Sequence, residues 1–226
     1  MLDIGAGPGR YSEYLLKELE CRVGLIDLAE DSLKAFTRRV DSQYGNQIIF
    51  TKTSCATELD WVEDCSFDIV LLMGPLYHLL EVEERQTAIE HCMRILKPGG
   101  YVFAAFISPY AKYARLLKNG AERLQDADYI EKLVQQGQTQ YAYENLVAGQ
   151  YRCWPTQARE MMEAGGFETI RLRNLEGVGS FLSEAEKEIL QNPELRQAWF
   201  DILRATCENP DLLGATLHFL YVGQKV

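Results

Sequence analysis

Apolar positions along the first half of the chain follow two alternating periods, one strand-like and one helix-like. Leu2 to Gly5 reads as a first strand, and Tyr11, Leu15 and Leu19 then recur every four residues, the spacing of one helix face. Arg22 to Asp27 (RVGLID) reads as a second strand that ends on an acid. Leu33, Phe36 and Val40 share one stripe of the next helix, which Gly45-Asn46 closes, and Gln47 to Lys52 is a third strand. Phe67 to Met73 (FDIVLLM) is almost unbroken apolar sequence, the pattern of a central strand covered on both faces. Ala88, Ile89, Cys92, Met93 and Leu96 predict a helix that Lys97-Pro98-Gly99-Gly100 terminates, and Tyr101 to Ile107 is the fifth strand. This alternation predicts an α/β fold: a doubly wound, mostly parallel sheet with helices on both faces.

The second half is less regular. Pro109 to Gly149 reads as helical, with Tyr110, Tyr113, Leu116, Leu117, Tyr129, Ile130 and Leu133 as its apolar points. Pro155 to Ala164 predicts a short helix ended by Gly165-Gly166, followed by a sixth strand, Phe167 to Asn174. Leu195, Trp199, Ile202 and Leu203 define an amphipathic helix, and His218 to Gly223 is the last strand. The expected architecture is therefore about seven strands in one domain, residues 1–226, with a regular half at 1–108. Helical insertions and the last two strands occupy 109–226. No internal repeat or low-complexity segment interrupts it.

A chain of 226 residues with 47% hydrophobic content can bury one substantial core. Acidic residues outnumber basic ones by 33 to 23, and Arg38-Arg39 is the one adjacent basic pair, so a nucleic-acid partner is disfavoured. The six cysteines show no C-x-x-C or other metal-like spacing and read as reduced thiols, which predicts a cytoplasmic protein without a bound metal. No basic-then-apolar leader is visible. The apolar, uncharged stretch Ile69 to Leu80 is broken by Gly74 and Pro75 and is too short to span a bilayer, so a soluble protein without a membrane partner is expected.

The candidate chemistry begins at Leu2-Asp3-Ile4-Gly5-Ala6-Gly7-Pro8-Gly9, where a strand runs through a glycine-rich turn directly into a helix. Such a turn lets backbone approach a ligand, and the helix amino end adds unpaired N–H groups. A dinucleotide fingerprint requires G-x-G-x-x-G. Here the spacing is G-x-G-x-G, and Arg10 stands where the third dinucleotide glycine would be. Asp27, at the end of the second strand, can accept both hydroxyls of a ribose or can serve as a helix first-turn acid.

Together with Cys55 to Leu59, Met73-Gly74-Pro75-Leu76-Tyr77-His78-Leu79 and Leu96-Lys97-Pro98-Gly99-Gly100, these residues resemble the class I S-adenosylmethionine-dependent methyltransferases. The likeness covers Leu2 to about Ile107. The GPLYHL stretch is similar to a small bacterial subgroup, which the later Trp154-Pro155, Ala164-Gly165-Gly166-Phe167, Leu175-Glu176-Gly177 and His218 also fit. The resemblance implies a Rossmann-like sheet with an antiparallel last strand and helical lid insertions, and makes 1–108 the cofactor-binding half. It implies that Asp3, Gly5, Ala6, Gly7 and Gly9 surround the methionine end of S-adenosylmethionine. By the same likeness Asp27 binds the ribose, Leu28 packs on the adenine, Ala56 offers its N–H to the ring, and Met73 and Gly74 border the sulfonium. Many relatives carry an acid at the place of Cys55; a thiol is a poor acceptor, so adenine recognition here is expected to be weaker or to lean on Glu58. Relatives also carry a helical segment ahead of the first strand, which is not seen before Leu2, and an exposed apolar area over the cofactor site is expected in consequence.

Methyl transfer from a sulfonium is a direct displacement, so no covalent triad is required, and alignment of the acceptor supplies most of the rate. Where the acceptor must lose a proton, His78 and Tyr77 are the candidate catalytic residues, in the loop after the central strand. His78 has two readings, a general base or a loop-shaping donor to a backbone carbonyl. His91 is expected on the surface and His218 packed. Tyr110, Tyr113, Tyr141, Tyr143, Tyr151 and Trp154 suggest an aromatic lid over a small-molecule substrate, and Tyr151 is the candidate substrate contact. The acceptor itself is not written in the sequence. Two alternatives share parts of the pattern: a non-catalytic cofactor-binding or interaction protein, and, with less support, an NAD-dependent oxidoreductase.

Overall fold

A computed structural model describes residues 1–111, 121–136, 149–177 and 188–226, with backbone alone at 41–42, 121 and 132–136. The elements run β1 (Leu2–Ile4), α1 (Arg10–Glu18), β2 (Val23–Asp27), α2 (Glu30–Tyr44), β3 (Ile48–Thr53), β4 (Phe67–Leu72), α3 (Val82–Ile95) and β5 (Leu96–Ile107). They continue with α4 (Ala127–Gln136), α5 (Pro155–Ala164), β6 (Phe167–Asn174), α6 (Pro193–Thr206) and β7 (His218–Lys225). The strands form one sheet in the order β3-β2-β1-β4-β5-β7-β6. β1 pairs in parallel with β2 and β4, β2 with β3, and β4 with β5. Against these, β7 runs opposite to β5: Ser108 N–H donates to the Leu217 carbonyl, and Gly99, earlier in β5, accepts from the later Gln224 side chain. The sheet is mostly parallel with one antiparallel pair and helices on both sides, the Rossmann-like arrangement expected.

Strand order reverses between β1 and β4, and the crevice at the carboxyl ends of such strands is where open α/β sheets bind ligands. The core beside it is built as the spacing requires. Leu33, Phe36 and Val40 of α2 are buried with Leu16 of α1 and Val23 and Leu25 of β2. Each such side chain contributes roughly 1.5–3 kcal/mol when fully buried. A capping box, Glu81 with Glu84, starts α3.

The chain divides into two compact units. The first comprises Met1–Ala104, Met161–Ile170 and Val222–Val226; the second comprises Ala105–Glu160 and Arg171–Tyr221. In the second, Phe106 and Phe219 stack at 5.5 Å, and Glu176 holds the start of β7 by accepting from His218 N–H at 2.8 Å.

Several expectations change in three dimensions. The buried face of α1 is Ser12 and Leu16, not Tyr11, Leu15 and Leu19, because the helix turns Ser12 inward to reach Asp3. Leu96 belongs to β5 rather than to the preceding helix. The fifth strand begins at Leu96 and not at Tyr101, so Lys97–Gly100 lies within it as an irregularity: Phe67 pairs with Leu96 and Ile69 with Tyr101, and Gly99 in that stretch has φ +77°. His91 is buried, with Nε2 at 3.3 Å from the Thr57 carbonyl. His218 is only partly covered and pairs with Glu176 Oε1 at 2.6 Å through Nδ1. The stripe on α6 exists, yet that helix buries no residue among those described. No described helix is long and apolar enough to cross a membrane. Tyr113, Leu116, Leu117, Tyr141 and Tyr143, and the side chain of Leu133, lie outside the described residues.

Candidate functional site

The turn after β1 is anchored to β2 by its own backbone. Gly5 N–H and Ala6 N–H both donate to the Ile26 carbonyl, at 2.8 and 3.0 Å, and Gly9 N–H closes the turn on the Ala6 carbonyl at 2.9 Å. Gly5, Gly7 and Gly9 all have positive φ, at 71°, 53° and 71°, a conformation costly for any residue with a Cβ. Their surroundings differ. A Cβ on Gly5 would fall 2.6 Å from the Pro75 ring and one on Gly9 2.3 Å from the Phe36 ring. At Gly7 it would meet nothing within 4 Å. Gly7 is the glycine that faces open space, and its neighbours make the turn dense behind it.

Asp27 bridges this turn and the start of α2. Its Oδ2 accepts from Gly7 N–H at 2.6 Å and its Oδ1 from Ala29 N–H at 2.8 Å. The carboxylate is thus fixed at the lip of the turn, and each oxygen keeps a lone pair for a further donor. Leu28, the next residue, is 70% exposed.

Asp3 lies behind the turn and is 1% exposed. Ser12 donates its hydroxyl to Oδ2 at 2.7 Å, while Oδ1 has no partner among the described residues. Burial, offset in part by the Ser12 hydroxyl and reinforced by the charge of Asp27, pushes its pKa up to about 6. A buried, half-satisfied carboxyl beside a second carboxylate favours the arrival of a cation.

The carboxyl end of β2 also holds the segment after β3, since Ser54 N–H donates to the Asp27 carbonyl at 3.3 Å. Next in that segment, Cys55 Sγ accepts the Thr57 hydroxyl at 3.1 Å, Ala56 is buried and Glu58 is exposed. Helix α3 fastens it from below: His91 approaches the Thr57 carbonyl, and Arg94 donates to the carbonyls of Leu59 and Val62 and pairs with Asp64.

After β4, Gly74 comes near the Gly5 carbonyl, and the Tyr77 hydroxyl donates to the Met73 carbonyl at 3.3 Å. Burial, and secondarily Tyr11, raise the Tyr77 pKa, so its hydroxyl stays protonated. The His78 ring tilts on Tyr77 at 4.8 Å and reaches the surface, yet the protein atoms crowded about it hold its pKa below the ordinary range. Among the described residues that ring hydrogen-bonds no backbone carbonyl.

The fold therefore brings Asp3, Gly5, Ala6, Gly7, Gly9, Asp27 and Leu28 together with the Cys55–Ala56 and Met73–Gly74 segments at the carboxyl ends of β1 to β4, in the first unit. Tyr77 and His78 follow in the same unit. Tyr151 is buried in the second unit, where Tyr110 and Trp154 are each 39% exposed. Sequence reasoning missed Ser12, Phe36, Pro75 and Arg39, the residues that hold the turn from behind. Phe36 was legible as core, but its contact with Gly9 is set by the helix crossing and not by spacing.

A family model for a methyltransferase domain matches residues 1–100. A ubiquinone biosynthesis O-methyltransferase of Thiobacillus denitrificans is 31% identical over 77% of this chain and 67% of its own length. The chain spans 46 to 67% of the length of the curated relatives it matches. Among solved structures, a S-adenosylmethionine-dependent methyltransferase of Methanosarcina mazei shares 19% identity with a TM-score of 0.63, over 100% of this chain and 91% of that one. The 1,6-didemethyltoxoflavin-N1-methyltransferase of Burkholderia thailandensis, solved with bound 1,6-didemethyltoxoflavin and S-adenosylhomocysteine, shares 16% identity with a TM-score of 0.60, over 100% of this chain and 70% of that one. These structures share the fold.

Proposed function

The chain belongs to the class I S-adenosylmethionine-dependent methyltransferases, and from that premise we propose that it transfers the cofactor's methyl group to a small organic acceptor by direct displacement. S-adenosylmethionine is the cofactor of this family, and one solved neighbour was crystallised with its demethylated product. The observation that carries the reading is the pair of carboxylates on either side of one glycine turn. Asp3 is buried with one oxygen that has no partner among the described residues, Asp27 is fixed at the lip, and Gly7 between them opens to free space.

The residues present fit the cofactor. Asp3 would balance an α-ammonium, the open backbone at Gly7 and the free N–H groups at the start of α1 would receive a carboxylate, and Asp27 would accept ribose hydroxyls on its remaining lone pairs. Leu28 would lie on the adenine, with Cys55 and Ala56 at its edge. The bound cofactor supplies an activated methyl on a sulfonium leaving group. The chain's own residues hold and align, which for a well-placed pair of reactants is worth up to about 7–11 kcal/mol. Met73 and Gly74 border the reacting end, and Tyr77 fixes the Met73 carbonyl by donating to it. His78, kept neutral near pH 7, is the group able to take a proton from an acceptor hydroxyl. Tyr151 is our candidate for acceptor contact.

The relatives' name makes a hydroxyl the first acceptor to try. Six free thiols suit a reducing compartment, and we place the protein in the cytoplasm. The glycine spacing argues against a nicotinamide enzyme, and the family match with relatives named as O-methyltransferases favours a catalyst over a non-catalytic binder. Calorimetric titration with S-adenosylhomocysteine tests the site: saturable binding is expected, and its absence would remove the reading. Incubating the protein with labelled cofactor and a metabolite extract, read by mass spectrometry, then identifies the acceptor.

A further inference from the structure

The guanidinium of Arg39 reaches from α2 across to the glycine turn. Its Nη2 donates to the carbonyl of Pro8, the exposed tip of the turn, while its Nε donates to Glu13 Oε2 on α1 at 3.1 Å. Lys17 holds the other oxygen of the same carboxylate at 2.7 Å. One turn earlier on α2, the Phe36 ring supports Gly9. Every other tie on the turn is made by backbone amides, by packing, or by Asp27 from the β2 side. Arg39 alone among the described side chains grips a carbonyl of the turn itself.

From this geometry we infer that Arg39 is a positioning residue for the cofactor's methionine end, acting through the Pro8 carbonyl and aimed by Glu13. The inference rests on the cofactor reading above. The physical argument is directional. The amides at the amino end of α1 serve a ligand only while they point into the open side of the turn, beside the space that Gly7 leaves. A carbonyl at the tip that rotates freely carries the flanking peptide planes with it. A planar fork held by a carboxylate fixes that rotation in one geometry, whereas the three rotatable donors of an ammonium would hold it more loosely. Arg39 touches no part of the site that would meet adenine or ribose, so its effect is confined to one end of the ligand.

The test compares two ligands on the full chain by calorimetry: S-adenosylhomocysteine, which has the methionine end, and adenosine, which lacks it. Arg39→Met is expected to raise the Kd for S-adenosylhomocysteine about tenfold, as befits a charged hydrogen bond, and to leave adenosine binding unchanged. Arg39→Lys should recover part of the loss. Lys17→Met, which removes a neighbouring positive charge from Glu13 without touching the turn, should bind both ligands as the wild type does. Equal weakening of both ligands by Arg39→Met would overturn the inference, as would no weakening of either. Should Arg39→Met fail to fold, Glu13→Gln carries the test: it frees the guanidinium from its aim, and a Kd raised about two- to threefold for S-adenosylhomocysteine alone supports the inference, while an unchanged Kd overturns it. A wild-type chain that binds neither ligand would instead remove the cofactor reading, a result separate from any difference among variants.

Discussion

The two sides of the glycine turn contrast sharply in what they cost and what they offer. Behind it, Gly5 and Gly9 press on Pro75 and Phe36, leaving no room for a methyl group. In front, Gly7 meets open space, and Leu28 beside it stands exposed. Three glycines that look equivalent in the sequence therefore serve two purposes. The rear pair lets protein close on protein, and the front one lets protein stay open to a ligand. Substitutions behind the turn should be felt as stability, and substitutions in front as affinity.

The largest effect expected is at Gly9. Gly9→Ala forces a side chain into φ +71° and into the buried Phe36 ring, and should cost about 3 kcal/mol or more, read as a lowered denaturation midpoint. Gly7→Ala carries the backbone strain alone, about 1 kcal/mol, so equal losses at the two positions would erase the distinction.

Asp3 comes next, and its effect has a sign set by pH. Its carboxyl ionises near 4 when unfolded and at about 6 when folded, so between those values the unfolded chain holds fewer protons and stability falls as pH rises. Above pH 6 the full cost is about 3 kcal/mol. Asp3→Asn should abolish that slope and stabilise the protein at pH 7.5, while weakening S-adenosylhomocysteine; chemical denaturation across pH 4 to 8 and calorimetry measure the two. A variant that is neither more stable nor weaker in binding would show Asp3 to be uninvolved.

At the lip, Asp27→Asn keeps an acceptor for Gly7 N–H but removes the charge offered to the ribose. It should cost roughly 1.5–3 kcal/mol of S-adenosylhomocysteine affinity with a smaller change in melting temperature. The smallest effect expected is Leu28→Ala, a loss of about 1 kcal/mol in affinity and none in stability, because the side chain is already exposed.

How far each feature could be read in advance depended on how local its cause is. The ends of β6 and α5 were legible to the residue, since Gly165-Gly166 separate them and such punctuation acts on the backbone directly. The stripe on α2 was equally clear, and all three of its residues are buried. On α1 the same periodic argument chose the neighbouring face. Two stripes one residue apart score alike in spacing, and a polar contact, Ser12 with Asp3, decided the rotation. His91 misled for a related reason: a polar residue on a helix flank reads as exposed until a distant carbonyl, here Thr57, is found to need it. On α6 the spacing announced a face without saying whether anything covers it.

By itself the sequence determined the alternation of strand and helix, the glycine turn with its acids before and beyond it, and through these the family to which the chain belongs. Periods and turn residues act within a few positions, so they survive being read in one dimension. Tertiary structure alone decided which glycine is open, that Asp3 is stranded without a full set of partners, and that Arg39 holds the turn from a neighbouring helix. Those facts follow from how elements twenty or more residues apart approach one another, and no local pattern encodes that approach.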